Sequence, residues 1–190
     1  MALVCVYSDG SGYDGGIGTS AVLYVKDQLI KSLRYYLGTE FEHMVYEAEG
    51  VGLVMGLHLL KNLNLRLTHP TILGADSQVA IRVLDNQRSH PSQYILDSIH
   101  DAAESLHKKQ DRLINRAERN AAIVEGNRWE GRSKGVVNLQ VHWVLGHMDF
   151  APNEKADEEA KKATQGDSSD AKSLPALLHK HLPLSLTVIR

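Results

Sequence analysis

Four acidic residues stand where a carboxylate could do chemistry. Asp9 follows an apolar run and precedes a glycine-rich turn, and Asp76 ends a second short apolar run. Glu49 lies on a predicted helix that contains glycines, and Asp157 lies on the last long predicted helix. Each has an ordinary interpretation alone, because Asp before Gly favours a turn, Asp before Ser can cap a helix, and helix acids are usually solvated. Their arrangement in the fold has to decide between these interpretations.

Glu49 is the acid that is hardest to explain as a surface charge. It shares a helical face with Gly52, Leu53 and Gly56, so it is expected to point toward the surface that this face covers. No cationic side chain follows on that helix before Lys61. A carboxylate that faces a buried surface needs a partner to offset its desolvation.

A bound cation would supply that partner. If the strands that end at Asp9 and Asp76 are adjacent and parallel, both acids lie at one sheet edge, where the helix with Glu49 can lean over them. Carboxylates this close cannot all stay ionised without a cation. Their hard oxygen ligands favour Mg²⁺ or Mn²⁺ over zinc.

The predicted elements can build such an edge. The first 37 residues are typical of three strands with short turns, which suggests an antiparallel meander. A helix is predicted over 45–61, where Gly52 and Gly56 would let its backbone lie close to the sheet. The rest of the chain predicts a strand ending at TILGA, a helical segment over 79–84, a long helix over 92–125, a strand and a last helix. This order predicts an α/β fold with a mixed sheet flanked by helices.

Composition limits the class of protein. The length of 190 residues predicts a single domain. We expect it to span residues 1–165, followed by a linker and an apolar tail over 166–190. The formal net charge is only −2, so any nucleic-acid surface has to be local. The single cysteine, the absence of a signal sequence and the absence of a long apolar run predict a soluble, intracellular, monomeric protein with no membrane segment. Zinc-ligand spacings, a nucleophile-elbow serine and a phosphate-binding GxxxxGK loop are missing from the sequence.

Four stretches of the sequence resemble one known family. They are SDGSG around Asp9, YEAEGVGLVMGL around Glu49, ADSQ at Asp76, and GHMDFAPNEKADEEA, which runs from His147 to Asp157. Together they resemble the type 1 ribonucleases H, and most closely the copies that retroelements carry beside a reverse transcriptase. The resemblance covers residues 3–164. It implies a five-stranded mixed sheet, three antiparallel strands then parallel strands, and endonucleolytic hydrolysis of the RNA strand of RNA/DNA hybrids.

The resemblance also implies a role for each acid. Asp9 would bridge two Mg²⁺ ions, which Mn²⁺ could replace. Asp157 would help to hold the ion that activates water, while Glu49 and Asp76 would hold the ion at the leaving 3′-oxygen. His147 would assist proton transfer or product release, and a surface histidine is the alternative. Glu47 is expected to face another side of the helix and to take no part.

The hybrid substrate is expected to contact a second set of positions. Backbone groups at Gly10, Ser11 and Gly12 would lie against it, with the two glycines letting a nucleic-acid backbone approach. The other implied contacts are Ser77, Gln78 and Asn153. The chain departs from many relatives at three positions that touch the DNA strand, which are His43, Met44 and Tyr46. Residues 107–135 hold eight Lys and Arg against four Asp and Glu, so they could grip phosphates or form a solvated helix face.

Two other classes stay open from the sequence. The chain could be an inactive ribonuclease-H-like module that binds nucleic acid or protein. It could also be another acid-cluster nuclease of the same superfamily, such as a 3′-5′ exonuclease or an integrase. The GH…N…D ending, from His147 through Asn153 to Asp157, fits those enzymes poorly.

Overall fold

A computed structural model describes residues 3–78, 81, 92–126, 137–144 and 150–185. Within these ranges lie the following strands and helices, in chain order: β1 (Val4–Tyr13), β2 (Gly16–Val25), β3 (Gln28–Thr39), α1 (Val45–Asn62), β4 (Thr71–Ala75), α2 (Gln93–Val124), β5 (Leu139–Trp143) and α3 (Ala151–Thr164). The tail adds short 3₁₀ turns at Ala171–Ser173 and Ala176–His179. The helix predicted over 79–84 falls, apart from Ile81, outside the described residues.

The strands form one mixed sheet in the order β3-β2-β1-β4-β5. The first three pair as an antiparallel meander, and β4 and β5 join them in parallel beside β1. In the parallel ladder Ser8 aligns with Ala75, so the next residues, Asp9 and Asp76, emerge at the same edge. The predicted mixed sheet is confirmed, and so is the shared edge.

Helices cover both faces of the sheet. β2 is buried along most of its length because α1 packs on one side of it and α3 on the other. On α1, a Cβ at Gly52 would lie 2.9 Å from Thr19 Oγ1, and one at Gly56 would lie 2.8 Å from Leu73 Cδ1. Real Cβ atoms hardly ever approach this closely, so a side chain at either position would force its neighbours to shift. The two glycines lie where α1 approaches the sheet, as the sequence predicted.

The long helix α2 packs on α1 through its first half. Its buried residues end at Gln110, whose side chain accepts from Leu67 N at 2.9 Å and donates to Leu65 O at 3.0 Å. One cation of the basic segment also has a structural contact, since Lys109 Nζ donates to the carbonyl of Lys61 at the end of α1. Within the described ranges, none of the helices is long and apolar enough to cross a membrane.

The C-terminal tail packs on the domain. Its leucines Leu174, Leu178 and Leu182 are buried in the main hydrophobic core. Its backbone follows the outer edge of β3, where Ser169 N donates to the carbonyl of Arg34 at 2.9 Å. Arg34 forms ion pairs with Glu159 on α3 and, at 2.9 Å, with Asp167 in the tail. The tail therefore covers an edge that would otherwise expose unpaired backbone groups.

We expect the tail to contribute to stability through these leucines. Leu178→Ala should lower the free energy of unfolding by about 2–5 kcal/mol, the usual range for a buried leucine. Leu184→Ala is the matched control, because that side chain is 55% exposed. Chemical denaturation of both variants measures the difference. Equal effects would contradict the packing of the tail in the core.

Candidate metal centre

Three elements bring three carboxylates to one edge of the sheet. Asp9 lies in β1, Asp76 directly follows β4, and Glu49 lies in the second turn of α1. One carboxylate oxygen from each residue lies within 4.8 Å of the other two. The three acids that the sequence predicted to converge therefore do so.

Gly10 lets α1 take its place over this edge. A Cβ at Gly10 would lie 2.6 Å from Glu49 N and 2.9 Å from the carbonyl carbon of Ala48. The backbone of α1 is thus the close neighbour of Gly10, where the sequence interpretation had assigned that space to a nucleic-acid backbone. The backbone amide of Gly10 acts against the effect of burial, because it lowers the pKa of both Asp9 and Glu49.

Burial and mutual repulsion disfavour the charged forms of these acids. Asp9 is only 4% exposed and Glu49 only 7%. Desolvation is the main cause that raises the pKa of Glu49, to about 9, and the charges of Asp9 and Asp76 add to it. Desolvation also raises the pKa of Asp9 well above its usual range, followed by the charges of Asp76 and Asp157. In the metal-free state burial and the neighbouring charges therefore favour the protonated forms of Asp9 and Glu49.

The donor set fits a hard divalent cation. Glu49 Oε2 is buried and has no hydrogen-bond partner within the protein, so a ligand position is left open. All three candidate ligands are carboxylates, which suit Mg²⁺ or Mn²⁺. Asp9, Glu49 and Asp76 could hold such an ion, and its binding would favour the deprotonated forms of Asp9 and Glu49.

Asp157 lines the same cavity as the three-acid cluster. This cavity has a volume of about 570 Å³, and its lining includes Asp9, Glu49, Asp76, Asn153 and Asp157. Asp157 is not a member of the cluster. Its carboxylate accepts a hydrogen bond from Lys161 Nζ at 2.7 Å, one helical turn away. Its charge still raises the pKa of Asp9, which places the two acids within electrostatic reach.

Of the other predicted site residues, some lie at the cavity, some lie away from it, and one falls outside the described residues. Asn153 is buried at the cavity, and its Oδ1 has no hydrogen-bond partner within the protein. Ser11 and Gly12 continue β1 beyond Asp9, while Ser77 and Gln78 follow Asp76. None of these four lines the cavity, so their substrate contacts stay predictions. His147 lies outside the described residues, as do residues 127–135 of the basic segment.

Glu47 faces away from the cavity, as expected, but it is fully buried. It accepts from Ser92 Oγ at 2.5 Å and from Met44 N at 3.0 Å, and it lies 3.2 Å from His43 Nδ1. These bonds fix the start of α1 against the start of α2. His43 is buried together with Glu47.

Two contacts of the site acids were missed from the sequence. Lys161 follows Asp157 by four residues on one helix, a spacing that could have indicated their ion pair. Trp143 Nε1 donates to the backbone oxygen of Asp76 at 2.9 Å. No pattern in the sequence indicates that second bond, because the residues belong to different strands.

The raised pKa values predict how stability depends on pH. An unfolded carboxyl group loses its proton near pH 4, whereas Glu49 in the folded protein keeps its proton until about pH 9. The folded protein therefore binds the Glu49 proton more tightly than the unfolded chain does. This contribution to the free energy of unfolding is fully present below about pH 4 and is lost as the pH rises toward 9. Denaturation in EDTA at pH 5, 7 and 9 should show a falling free energy of unfolding. Glu49→Gln should have a flatter dependence, and a wild-type slope in that variant would contradict the assignment.

Solved structures with the same architecture were found. An N-terminal RNase H domain from Mycobacterium tuberculosis has a TM-score of 0.58 and 17% sequence identity, covering 87% of this chain and 96% of that chain. RNase H1 from the halophilic archaeon Halobacterium salinarum has a TM-score of 0.54 and 17% identity, covering 86% of this chain and 98% of that chain.

A viral enzyme has the same architecture in part of its length. The foamy viral protease-reverse transcriptase in complex with an RNA/DNA hybrid has a TM-score of 0.58 and 11% identity, covering 87% of this chain and 20% of that chain. No protein-family model matches the sequence, and no curated protein matches it. These structural matches and the order of the sheet show that the chain has the ribonuclease H fold.

Proposed function

We propose that this protein hydrolyses the RNA strand of RNA/DNA hybrids as a divalent-metal-dependent endonuclease. The observation that carries the proposal is the cluster of Asp9, Glu49 and Asp76, whose carboxylate oxygens converge within 4.8 Å at an open cavity of a ribonuclease H fold. The resemblance of the surrounding motifs supports the same activity. The foamy viral match in complex with a hybrid supports a similar duplex as substrate, and a reverse-transcriptase context for the chain.

Each acid has a role that its surroundings support. The charges of Asp76 and Asp157 both act on Asp9, so Asp9 would be suited to share a divalent ion with either of them. Glu49 and Asp76 would complete one position, and Asp157 the other. Divalent ions bound there would activate a water for attack on phosphorus and stabilise the leaving 3′-oxygen. Lys161 holds Asp157 in the absence of metal and would have to release it.

Asn153 and His147 would act on substrate and proton. The Oδ1 of Asn153 is a hydrogen-bond acceptor at the cavity that has no partner within the protein. A 2′-hydroxyl of RNA could donate a hydrogen bond to it. Recognition of that hydroxyl would favour RNA over DNA as the cleaved strand. We assign His147 to proton transfer or product release, on the strength of its GH…N…D spacing from Asp157.

Cleavage of labelled duplexes tests the proposal. With Mg²⁺ we expect the wild-type protein to cut the RNA strand of a hybrid at internal positions and to leave duplex DNA intact. Asp9→Asn should lower the rate by about a thousandfold, because bound ions supply several kcal/mol of transition-state stabilisation and about 1.4 kcal/mol is tenfold. It should unfold at an unchanged or slightly higher temperature, because it removes a repelled carboxylate. Absence of hybrid cleavage in both Mg²⁺ and Mn²⁺ would refute the activity, and cleavage of duplex DNA would indicate another nuclease.

Glu47 and Glu49 should respond to the same substitution in opposite ways. Glu49→Gln should abolish hybrid cleavage while the metal-free protein becomes more stable, since its buried carboxyl group is strained by desolvation. Glu47→Gln should keep cleavage but lower stability by about 1–3 kcal/mol, because an amide puts a donor where the carboxylate accepts. Assays below the unfolding temperature, paired with denaturation curves, separate the two effects. The reverse pattern would mean that Glu47 is the ligand.

A further inference from the structure

Asp76 is attached to the sheet differently from the other two acids of the cluster. Asp9 lies inside β1, which pairs with a strand on each side. Glu49 lies on α1, whose backbone contacts β1 at Gly10. Asp76 lies one residue beyond β4, whose pairing with β5 reaches Ala75 opposite Trp143 among the described residues. One of the contacts that hold the chain at Asp76 comes from the end of β5.

That contact is made by the side chain of Trp143. Among the described residues, the outermost backbone hydrogen bond between these two segments runs from Val144 N to the carbonyl of Ala75 at 2.9 Å. The next carbonyl outward belongs to Asp76, and the indole Nε1 of Trp143 donates to it at 2.9 Å. The indole thus extends the pairing of β4 and β5 by one hydrogen bond, up to the residue whose carboxylate faces the cavity.

Packing alone does not account for this tryptophan. Its side chain is 46% exposed at the end of β5, so a large part of its apolar surface stays in water. An indole has a single hydrogen-bond donor, and here that donor binds the main chain of a site residue. We propose that Trp143 is a positioning residue, which fixes the Asp76 peptide so that its carboxylate is aligned for a divalent ion. This role rests on the proposed function of the cluster as a metal site.

The proposal predicts a specific loss when the donor is removed. Trp143→Phe keeps an aromatic ring on β5 but leaves the Asp76 carbonyl without the indole bond. The Asp76 peptide then loses one of its contacts, so part of the alignment that the wild-type protein already has must be restored on ion binding. A typical net hydrogen bond corresponds to about a threefold to tenfold change in an equilibrium constant, and we expect Mn²⁺ affinity to fall by that factor.

The experiment measures Mn²⁺ binding by calorimetric titration without nucleic acid, and thermal unfolding in EDTA. Val141→Ala is the matched control, because Val141 lies two residues earlier on the same strand and face and is 38% exposed. Trp143→Phe should weaken Mn²⁺ binding while its metal-free unfolding temperature stays near that of the control. Val141→Ala should bind Mn²⁺ as the wild type does.

The outcomes separate this role from the proposed activity. Wild-type affinity in Trp143→Phe would overturn the positioning role and leave the metal site intact. A loss of affinity in both variants, in proportion to their loss of stability, would also overturn it, because it would reflect loosening of β5. If the wild-type protein binds Mn²⁺ more tightly than Trp143→Phe but cleaves no hybrid, the nuclease proposal fails and the role of Trp143 stands. A wild-type protein that binds no Mn²⁺ would overturn both.

Discussion

Burial of two carboxylates at one edge of the sheet raises the free energy of their charged forms in the folded protein. Desolvation is the largest cause of the raised pKa of Asp9 and of Glu49; the charges of Asp76 and Asp157 add to it at Asp9, and those of Asp9 and Asp76 add to it at Glu49. A fold keeps such a cluster only if its scaffold holds the elements together against this cost. The contact of α1 with β1 at Gly10 and the parallel pairing of β1 with β4 provide that rigidity. The same unfavourable electrostatic free energy favours the binding of a cation, because a bound cation would stabilise the charged carboxylates.

The stabilising contacts lie away from this edge. The core between α1 and the sheet is close-packed at Gly52 and Gly56, and the tail leucines complete it on the far side. Glu47 contrasts with Glu49 two residues later, because its carboxylate accepts hydrogen bonds from both ends of a helix junction. One acid of α1 thus stabilises the helix start while the other is poised for a ligand. The two acids differ because Glu47 faces hydrogen-bond donors, whereas Glu49 faces the cavity with the other carboxylates.

Local patterns in the sequence were enough to predict the sheet and the convergence of three acids. The glycines of α1 indicated which helix face meets the sheet, and that face carries Glu49. The contacts that could not be predicted join residues far apart in the chain. Local patterns in the sequence contain no information on which distant residues come together. The indole bond from Trp143 to Asp76 is one, and the edge that Ser169 covers on β3 is another. The contact of Gly10 with α1 was not predicted either, because a glycine indicates that another group comes close but not which group. The predicted contact of Gly10 with substrate stays a prediction.

The docking of the tail has a consequence for how the chain folds. Ser169 pairs with Arg34 across 135 residues of sequence, and the leucines that follow it enter the same core as β1 and β2. The loop entropy of that closure is lost before the contacts are gained, so folding to the final state is expected to be slow. During synthesis, the β1–β3 meander would leave the ribosome long before its edge is covered. Until the tail arrives, β3 would expose a strand edge that another nascent chain could pair with.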